Sequence, residues 1–275
     1  MPGPTDLPTN PTERRRWNDE GWVKVWPKRE RFTDSVTPGL LDVVALAPGE
    51  RVLDVGCGGG KTTIEAGRRV GATGSVVGAD ISGALVELAR QRTLAAGAAN
   101  VTYEVLDVQH DDVPGAPFDV VLSQFGVMFF DEPVTAFTNI ARHLREGGRM
   151  AFACWQESQR NPWFFALALA PFLAPPPPLA EGKAPTGPFA LADAERTTDI
   201  LRAAGFSSIT RTPVELTIEV PEDAIFDDEQ LAFLGVAPAD LAEARVAMDE
   251  HLAQFRLSPE LSRFPLSLQI FAATR

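Results

Sequence analysis

Cysteine, basic charge and long apolar runs are all scarce in this chain, and each scarcity removes a class of function. Of 275 residues only Cys57 and Cys154 are cysteines, too few for a disulfide framework, so two free thiols and a reducing cytoplasm are expected. Lysine and arginine number 25 against 37 aspartates and glutamates, a formal net charge of -12. Binding a phosphate backbone needs a concentrated basic face that displaces counterions, which argues against nucleic acid as a partner. No window holds the roughly 18 uninterrupted apolar residues of a membrane span. The early prolines and the run Arg14-Arg15-Arg16 are followed by no apolar stretch of the kind a signal peptide carries. The three histidines, His110, His143 and His251, lie in no diagnostic arrangement with a partner acid. There is no internal repeat, and nothing fixes an oligomeric state.

What remains is a chain that is 45% hydrophobic, enough for a substantial core. From Arg51 onward, short apolar runs alternate with helical patterns, the mark of parallel strands joined by crossover helices. The runs are 51–56, 75–81, 101–107, 118–125 and 148–155. Ser82 is placed to cap one helix that Gly97 stops, and a second helix spans about 133–144. The expected fold is α/β, a Rossmann-like, seven-stranded, mostly parallel sheet with helices on both faces.

Around the 51–155 core the chain divides into further pieces. Residues 1–15 read as a disordered tail and 16–50 as a helical cover, in which Trp17, Trp22, Val25 and Trp26 approximate helical spacing. Residues 156–192 read as a cap insertion, with an apolar helix over 162–173 and an extended segment over Pro175–Pro178. A core helix and strand occupy 193–226, a helical insertion 227–258, and a closing strand 259–275. Leu241, Met248, Leu252 and Phe255 form an apolar stripe on that second insertion.

The most informative stretch is Arg51–Thr62, RVLDVGCGGGKT, a buried-type strand entering a glycine turn and then a helix, with Thr62 and Glu65 spaced as a capping box. A dinucleotide fingerprint, G-x-G-x-x-G, needs a third glycine where Lys61 stands. A triphosphate loop, G-x-x-x-x-G-K-[ST], needs a first glycine where Val55 stands. The pattern D-x-G-x-G-x-G at Asp54, Gly56, Gly58 and Gly60 instead resembles the first motif of class I S-adenosyl-L-methionine-dependent methyltransferases. Glycine allows close backbone approach, and the helix N-terminus favours the donor's carboxylate. Asp54 then faces either the donor's ammonium or the loop's own amides.

The resemblance extends to about Trp155 and implies the rest of a donor site. Asp80 ends the second strand in Val76-Val77-Gly78-Ala79-Asp80-Ile81, where two carboxylate oxygens can accept both ribose hydroxyls. Asp107 in Leu106-Asp107-Val108 would accept from the adenine amino group, the next backbone amide donating to the ring. Cys57, Ile81 and Val108 complete the expected contacts. Phe118–Gln124, FDVVLSQ, is similar to the fourth family motif, which puts Ser123 and Gln124 beneath the reactive methyl. Phe125–Phe130 adds a likeness to the ubiquinone and menaquinone biosynthesis type, implying a small-molecule acceptor. Methyl transfer from a sulfonium is an in-line displacement and requires no catalytic metal.

Trp22, Gln124, Phe129, Phe130, Trp155 and Trp163 fall in segments that should overhang the carboxyl edge of the sheet and line an apolar acceptor pocket. For any one of these aromatics, packing of the insertions onto the domain is the simpler account. His251, on the second insertion, is the candidate for a general base. The leading expectation is methyl transfer to a hydrophobic metabolite through oxygen, carbon or nitrogen. The alternative is a non-catalytic protein that binds S-adenosylmethionine or a nucleotide on the same scaffold.

Overall fold

A computed structural model describes residues 10–19, 21–175, 178, 179, 181–221 and 228–275. The core strands are β1 (Arg51–Val55), β2 (Ser75–Asp80), β3 (Val101–Val105), β4 (Phe118–Gln124), β5 (Leu144–Trp155), β6 (Ser207–Pro221), β7 (Arg256–Ser258) and β8 (Leu261–Thr274). Their spatial order is β3-β2-β1-β4-β5-β8-β6, with the short β7 attached to β8. The first five strands are parallel; β8 runs antiparallel to both β5 and β6. One short strand beyond the expected seven arises because residues 256–258 fold back on β8.

Strand order reverses between β1 and β4, and loops at the carboxyl ends of these neighbours diverge to opposite faces, opening a crevice where such folds bind ligands. The helices that flank the sheet are α4 (Lys61–Val70), α5 (Gly83–Ala96), α6 (Pro133–His143) and α8 (Ala194–Ala203), which follow the three α1–α3 of the N-terminal cover. Ser82 caps α5 by accepting the Leu85 amide, and Gly97 ends it at φ 65°. Asp193 caps α8 through the amides of Glu195 and Arg196. The core centres on β1, β4 and β5, where Leu53, Leu122, Phe152 and the facing Phe137 and Phe271 are fully buried.

Several expectations change. The cover consists of α1 (Pro11–Trp17), α2 (Gly21–Thr33) and α3 (Thr37–Val44). Residues from Pro11 onward therefore belong to it and not to a tail: Pro11 is fixed for a first helical turn, and Glu13 is 3% exposed. Residues 1–9 lie outside the described residues. The capping box at Thr62 does not form, because Gly60 in a left-handed conformation (φ 83°) is the N-cap of α4 and Thr62 already lies within the helix. The helix expected over 162–173 shrinks to α7 (Ala166–Leu169) and a following 3-10 turn. Of the proline run, Pro176 and Pro177 lie outside the described residues. The second insertion forms two helices, α9 (Asp228–Phe233) and α10 (Leu241–Leu252), and Asp227 is outside the described residues. Among the described residues no helix is long and apolar enough to cross a membrane.

Candidate functional site

The turn after β1 is held open by the carboxylate that ends β2. Asp80 accepts the Gly58 amide at 2.8 Å and the Ser82 amide at 2.9 Å, so one side chain orders the glycine loop and the start of α5 together. Burial raises its pKa although these amides pull the other way. Gly58 (φ 52°) and Gly60 (φ 83°) sit in the left-handed region, and a Cβ on either would collide, with the Trp26 indole and with the Tyr103 hydroxyl respectively.

Asp54 is 1% exposed. One of its oxygens accepts the Thr63 hydroxyl at 2.7 Å, and the other, Oδ1, is buried with no partner. It thus takes a helix hydroxyl and none of the loop's amides. Desolvation by burial pushes its pKa up to about 7, opposed by the Thr63 bond and reinforced by nearby Asp80. Asp107 repeats the pattern at the end of β3: Oδ1 accepts the Gln109 amide at 3.0 Å, while Oδ2 is buried and unpartnered. A buried acceptor left without a donor costs about 1–3 kcal/mol, so both atoms are prepared for donors that a ligand brings. The Cys57 thiol is raised well above its ordinary range, first by burial and then by Asp80 and Asp54, which leaves it inert as a nucleophile.

These residues open onto one cavity. Asp54, Gly56, Cys57, Asp80, Ile81, Asp107 and Val108 line one end of it. Ser123 does not: its hydroxyl donates to the Val55 carbonyl at 2.7 Å and is buried, because alternation along β4 turns it toward β1. Gly58 and Gly60 shape the loop without lining the cavity, since Trp26 and Tyr103 cover them. Gln124 lines it, with its amide bound to the Thr37 hydroxyl (2.9 Å) and the Thr33 carbonyl (3.2 Å) of the cover.

The other end is aromatic. Phe125, in a left-handed conformation (φ 61°), stacks on Trp155 with centroids 4.3 Å apart. Trp155 meets Trp163, which packs on Phe32, which in turn packs on Phe264. Near the mouth, Trp17 stacks on Trp22 at 4.5 Å and abuts Phe129. Trp22, Phe129, Phe130, Trp155 and Trp163 all line the cavity, and the Trp163 indole nitrogen is buried there without a partner.

The cover closes this space by specific bonds. Asn18 donates to the Ile81 carbonyl and accepts the Gly83 amide, both at 2.9 Å. Glu30 accepts from Arg92 at 2.8 Å and from the Trp26 indole at 2.7 Å, and Lys61 pairs with Asp34.

Comparison with known proteins agrees with this geometry. Residues 52–148 match the methyltransferase-domain family. The chain is 37% identical to aklanonic acid methyltransferase DauC of Streptomyces sp. (strain C5), over 41% of this chain and 51% of that protein, so it spans about half that relative's length. It is 31% identical to nocamycin O-methyltransferase of Saccharothrix syringae over 69% of this chain and 71% of that one. The chain belongs to the S-adenosylmethionine-dependent methyltransferases. It is also 35% identical to the ubiquinone/menaquinone C-methyltransferase UbiE of Ectopseudomonas mendocina, over 47% of each protein. In fold this methyltransferase is similar to YcgJ of Bacillus subtilis (TM-score 0.60, 16% identity, 88% of this chain and 98% of that one). Another fold neighbour is the [4+2]-cyclase SpnF (TM-score 0.54, 20% identity, 88% and 80% covered). A cyclase on this scaffold means that the fold alone does not define a reaction.

The donor suits what the residues present. An ammonium and an amino group are donors that would suit the unpartnered Asp54 Oδ1 and Asp107 Oδ2, while both Asp80 oxygens already accept backbone amides.

No histidine lines the cavity among the described residues. His251 is turned aside, because neighbours on a helix point about 100° apart and α10 presents Leu252 to the cavity. His143 accepts the Val113 amide at Nε2 (2.9 Å) and faces the Asn139 carbonyl at Nδ1 (2.8 Å), the pattern of a neutral ring locked in the core. His110 bonds Gln109 and approaches Glu132, outside the cavity. Sequence reasoning missed Arg29, Phe32, Phe125 and Phe264, all in the lining. For Arg29 a signal existed: Trp22, Val25, Trp26 and Arg29 follow i, i+3, i+4, i+7 spacing, so one face of α2 carries three apolar side chains and a cation inward.

Proposed function

We propose that this protein transfers the methyl group of S-adenosylmethionine to an oxygen of a small, apolar, ring-bearing metabolite. The observation that carries the reading is the single cavity in which orphaned carboxylate oxygens at one end adjoin an aromatic wall at the other. S-adenosylmethionine supplies an electrophilic methyl on a sulfonium. In this reading Asp80 orients the donor's ribose, Asp54 pairs with its ammonium and Asp107 accepts from its adenine. Phe125, Trp155 and Trp163 fix the acceptor's plane, and the cover excludes water, so the rate arises mainly from alignment and desolvation.

Two considerations favour oxygen. The relative sharing most of its length with this chain is named an O-methyltransferase. No histidine base is available in the lining, which suits an acceptor oxygen already ionised near neutral pH, such as a carboxylate or an acidic phenol or enol. Radiolabelled methyl transfer to a panel of organic acids, acidic phenols, quinols and amines tests the proposal, and counts should appear with acids and phenols. Transfer confined to carbon or nitrogen would overturn the choice of oxygen, and failure of the protein to bind S-adenosylmethionine would overturn the whole reading.

A further inference from the structure

The cavity is lined by one arginine that has no carboxylate partner among the described residues. Arg29 lines it from α2, packed over the Trp22 ring at 5.0 Å from the centroid. Of the carboxylates that share the lining, Glu13 is bound to the Trp17 indole and the Thr186 hydroxyl, Glu30 to Arg92 and Trp26, and Asp34 to Lys61, while Asp54, Asp80 and Asp107 lie at the strand ends and form no ion pair with Arg29 among the described residues. Among the described residues no carboxylate stands within ion-pairing distance of Arg29, and the charge that does influence it is the like charge of Arg16. Arg29 is exposed and counts among the lining residues, with its guanidinium resting on the Trp22 ring. Its pKa is lowered to about 10, first by desolvation and then by Arg16, the signature of a cation that lacks a counterion. In a chain of net charge -12 an arginine that lines a cavity without a carboxylate partner among the described residues is suited to an anion from outside.

From these contacts we infer that the acceptor is an organic acid, and that Arg29 is the specificity residue that takes its carboxylate. This rests on the methyl-transfer reading above and narrows it from an ionised oxygen in general to a carboxylate on a ring-bearing body. A guanidinium presents two parallel N–H donors that match the two oxygens of a carboxylate, a fit that a neutral carbonyl or a lone phenol oxygen cannot reproduce. The donor's own carboxylate would find a separate partner at the N-terminus of α4, whose Lys61 and Thr62 line the cavity and whose dipole favours negative charge. Beside the cation lies the Trp22 ring, and among the described residues the unpartnered Trp163 N–H in the same lining offers a donor for a neutral oxygen of the acceptor.

The test compares aromatic carboxylic acids with their carboxamides, for example naphthoic and anthraquinone-carboxylic acids, titrated calorimetrically with and without S-adenosylhomocysteine. Wild-type protein should bind acids at least about tenfold more tightly than amides, the difference expected of a charge-assisted pair. Arg29→Gln should erase that preference, Arg29→Lys should retain part of it, and both should bind S-adenosylhomocysteine within twofold of wild type. Retention of S-adenosylhomocysteine binding also shows that the variants fold. The inference is overturned if acids and amides bind alike, if neither binds, or if Arg29→Gln keeps the preference. It is equally overturned if Arg29→Gln weakens S-adenosylhomocysteine but spares 5′-methylthioadenosine, which lacks the carboxylate, since Arg29 would then serve the donor. Failure of S-adenosylhomocysteine to bind wild type, with the acid preference intact, would instead remove the methyl-transfer reading and leave the acid site standing.

Discussion

The two ends of the cavity are assembled in different ways. The donor end comes from successive strand ends: the loop after β1, Asp80 closing β2 and Asp107 just beyond β3. Backbone register brings these together, since β1 pairs with β2 and β2 with β3 in unbroken parallel ladders. The acceptor end is collected from α2, the turn after β4, the end of β5, the insertion after it and β8, in aromatic contacts such as Phe32 with Trp163 and Phe264. Hydrogen-bonded register leaves a pattern in one stretch of sequence, whereas aromatic packing is weakly directional and joins residues far apart in the chain.

Breaking the donor end should have the largest effect. Asp80→Ala removes a carboxylate that positions both the Gly58 and Ser82 amides, and S-adenosylmethionine affinity should fall about hundredfold by calorimetry, with aromatic probes still bound at the other end. A loss below threefold would mean that the donor end is not organised around β2.

The next effect is one of pH. Because burial raises Asp54 in the empty fold from 3.8 to about 7, its protonated form is favoured there. Its contribution to stability is therefore complete below about 4 and lost as pH climbs toward 7. A donor ammonium beside it favours the ionised form, so S-adenosylmethionine affinity should increase with pH, by up to about tenfold per unit, and level off above about 7. Asp54→Asn should flatten that profile; an unchanged slope in the variant would assign the titration to another group.

A smaller change should follow from loosening the cover, which belongs to both ends. Glu30→Gln weakens the half-exposed pair with Arg92, worth about 1 kcal/mol or less after solvent screening. Donor dissociation, followed by tryptophan fluorescence, should accelerate about two- to fivefold, and an unchanged rate would mean that the cover does not gate release. Ser123→Ala should have the smallest functional effect: about 1 kcal/mol of stability from the lost bond to Val55, and donor affinity within twofold. A tenfold loss of affinity would return Ser123 to the donor site.

Much of the donor end was legible beforehand because glycine, aspartate and strand periodicity each carry a local physical meaning. Gly58 and Gly60 occupy left-handed backbone, Ser82 caps α5, and Asp80 lies at a strand end as its alternation requires. What local reasoning misjudged depended on direction. Ser123 and Gln124 are neighbours on one strand, yet the pleat sends the first into the core and the second into the cavity. His251 and Leu252 are neighbours on one helix, and of the two only Leu252 lines the cavity, while His251 Nε2 is buried outside the lining. Thr62 had the spacing of a cap, but Gly60 had already started the helix.

The sequence by itself determined the scaffold and the gathering of the glycine turn with Asp80 and Asp107, since a strand, a glycine turn and two carboxylates at or just past strand ends are local features whose relative positions follow from parallel pairing. Only the tertiary structure decided that, among the described residues, Arg29 has no carboxylate partner and Trp163 an unused N–H, and that Trp26 lies over the glycine loop. Those facts depend on which distant side chains occupy the surrounding volume, and no single stretch of the chain encodes a volume.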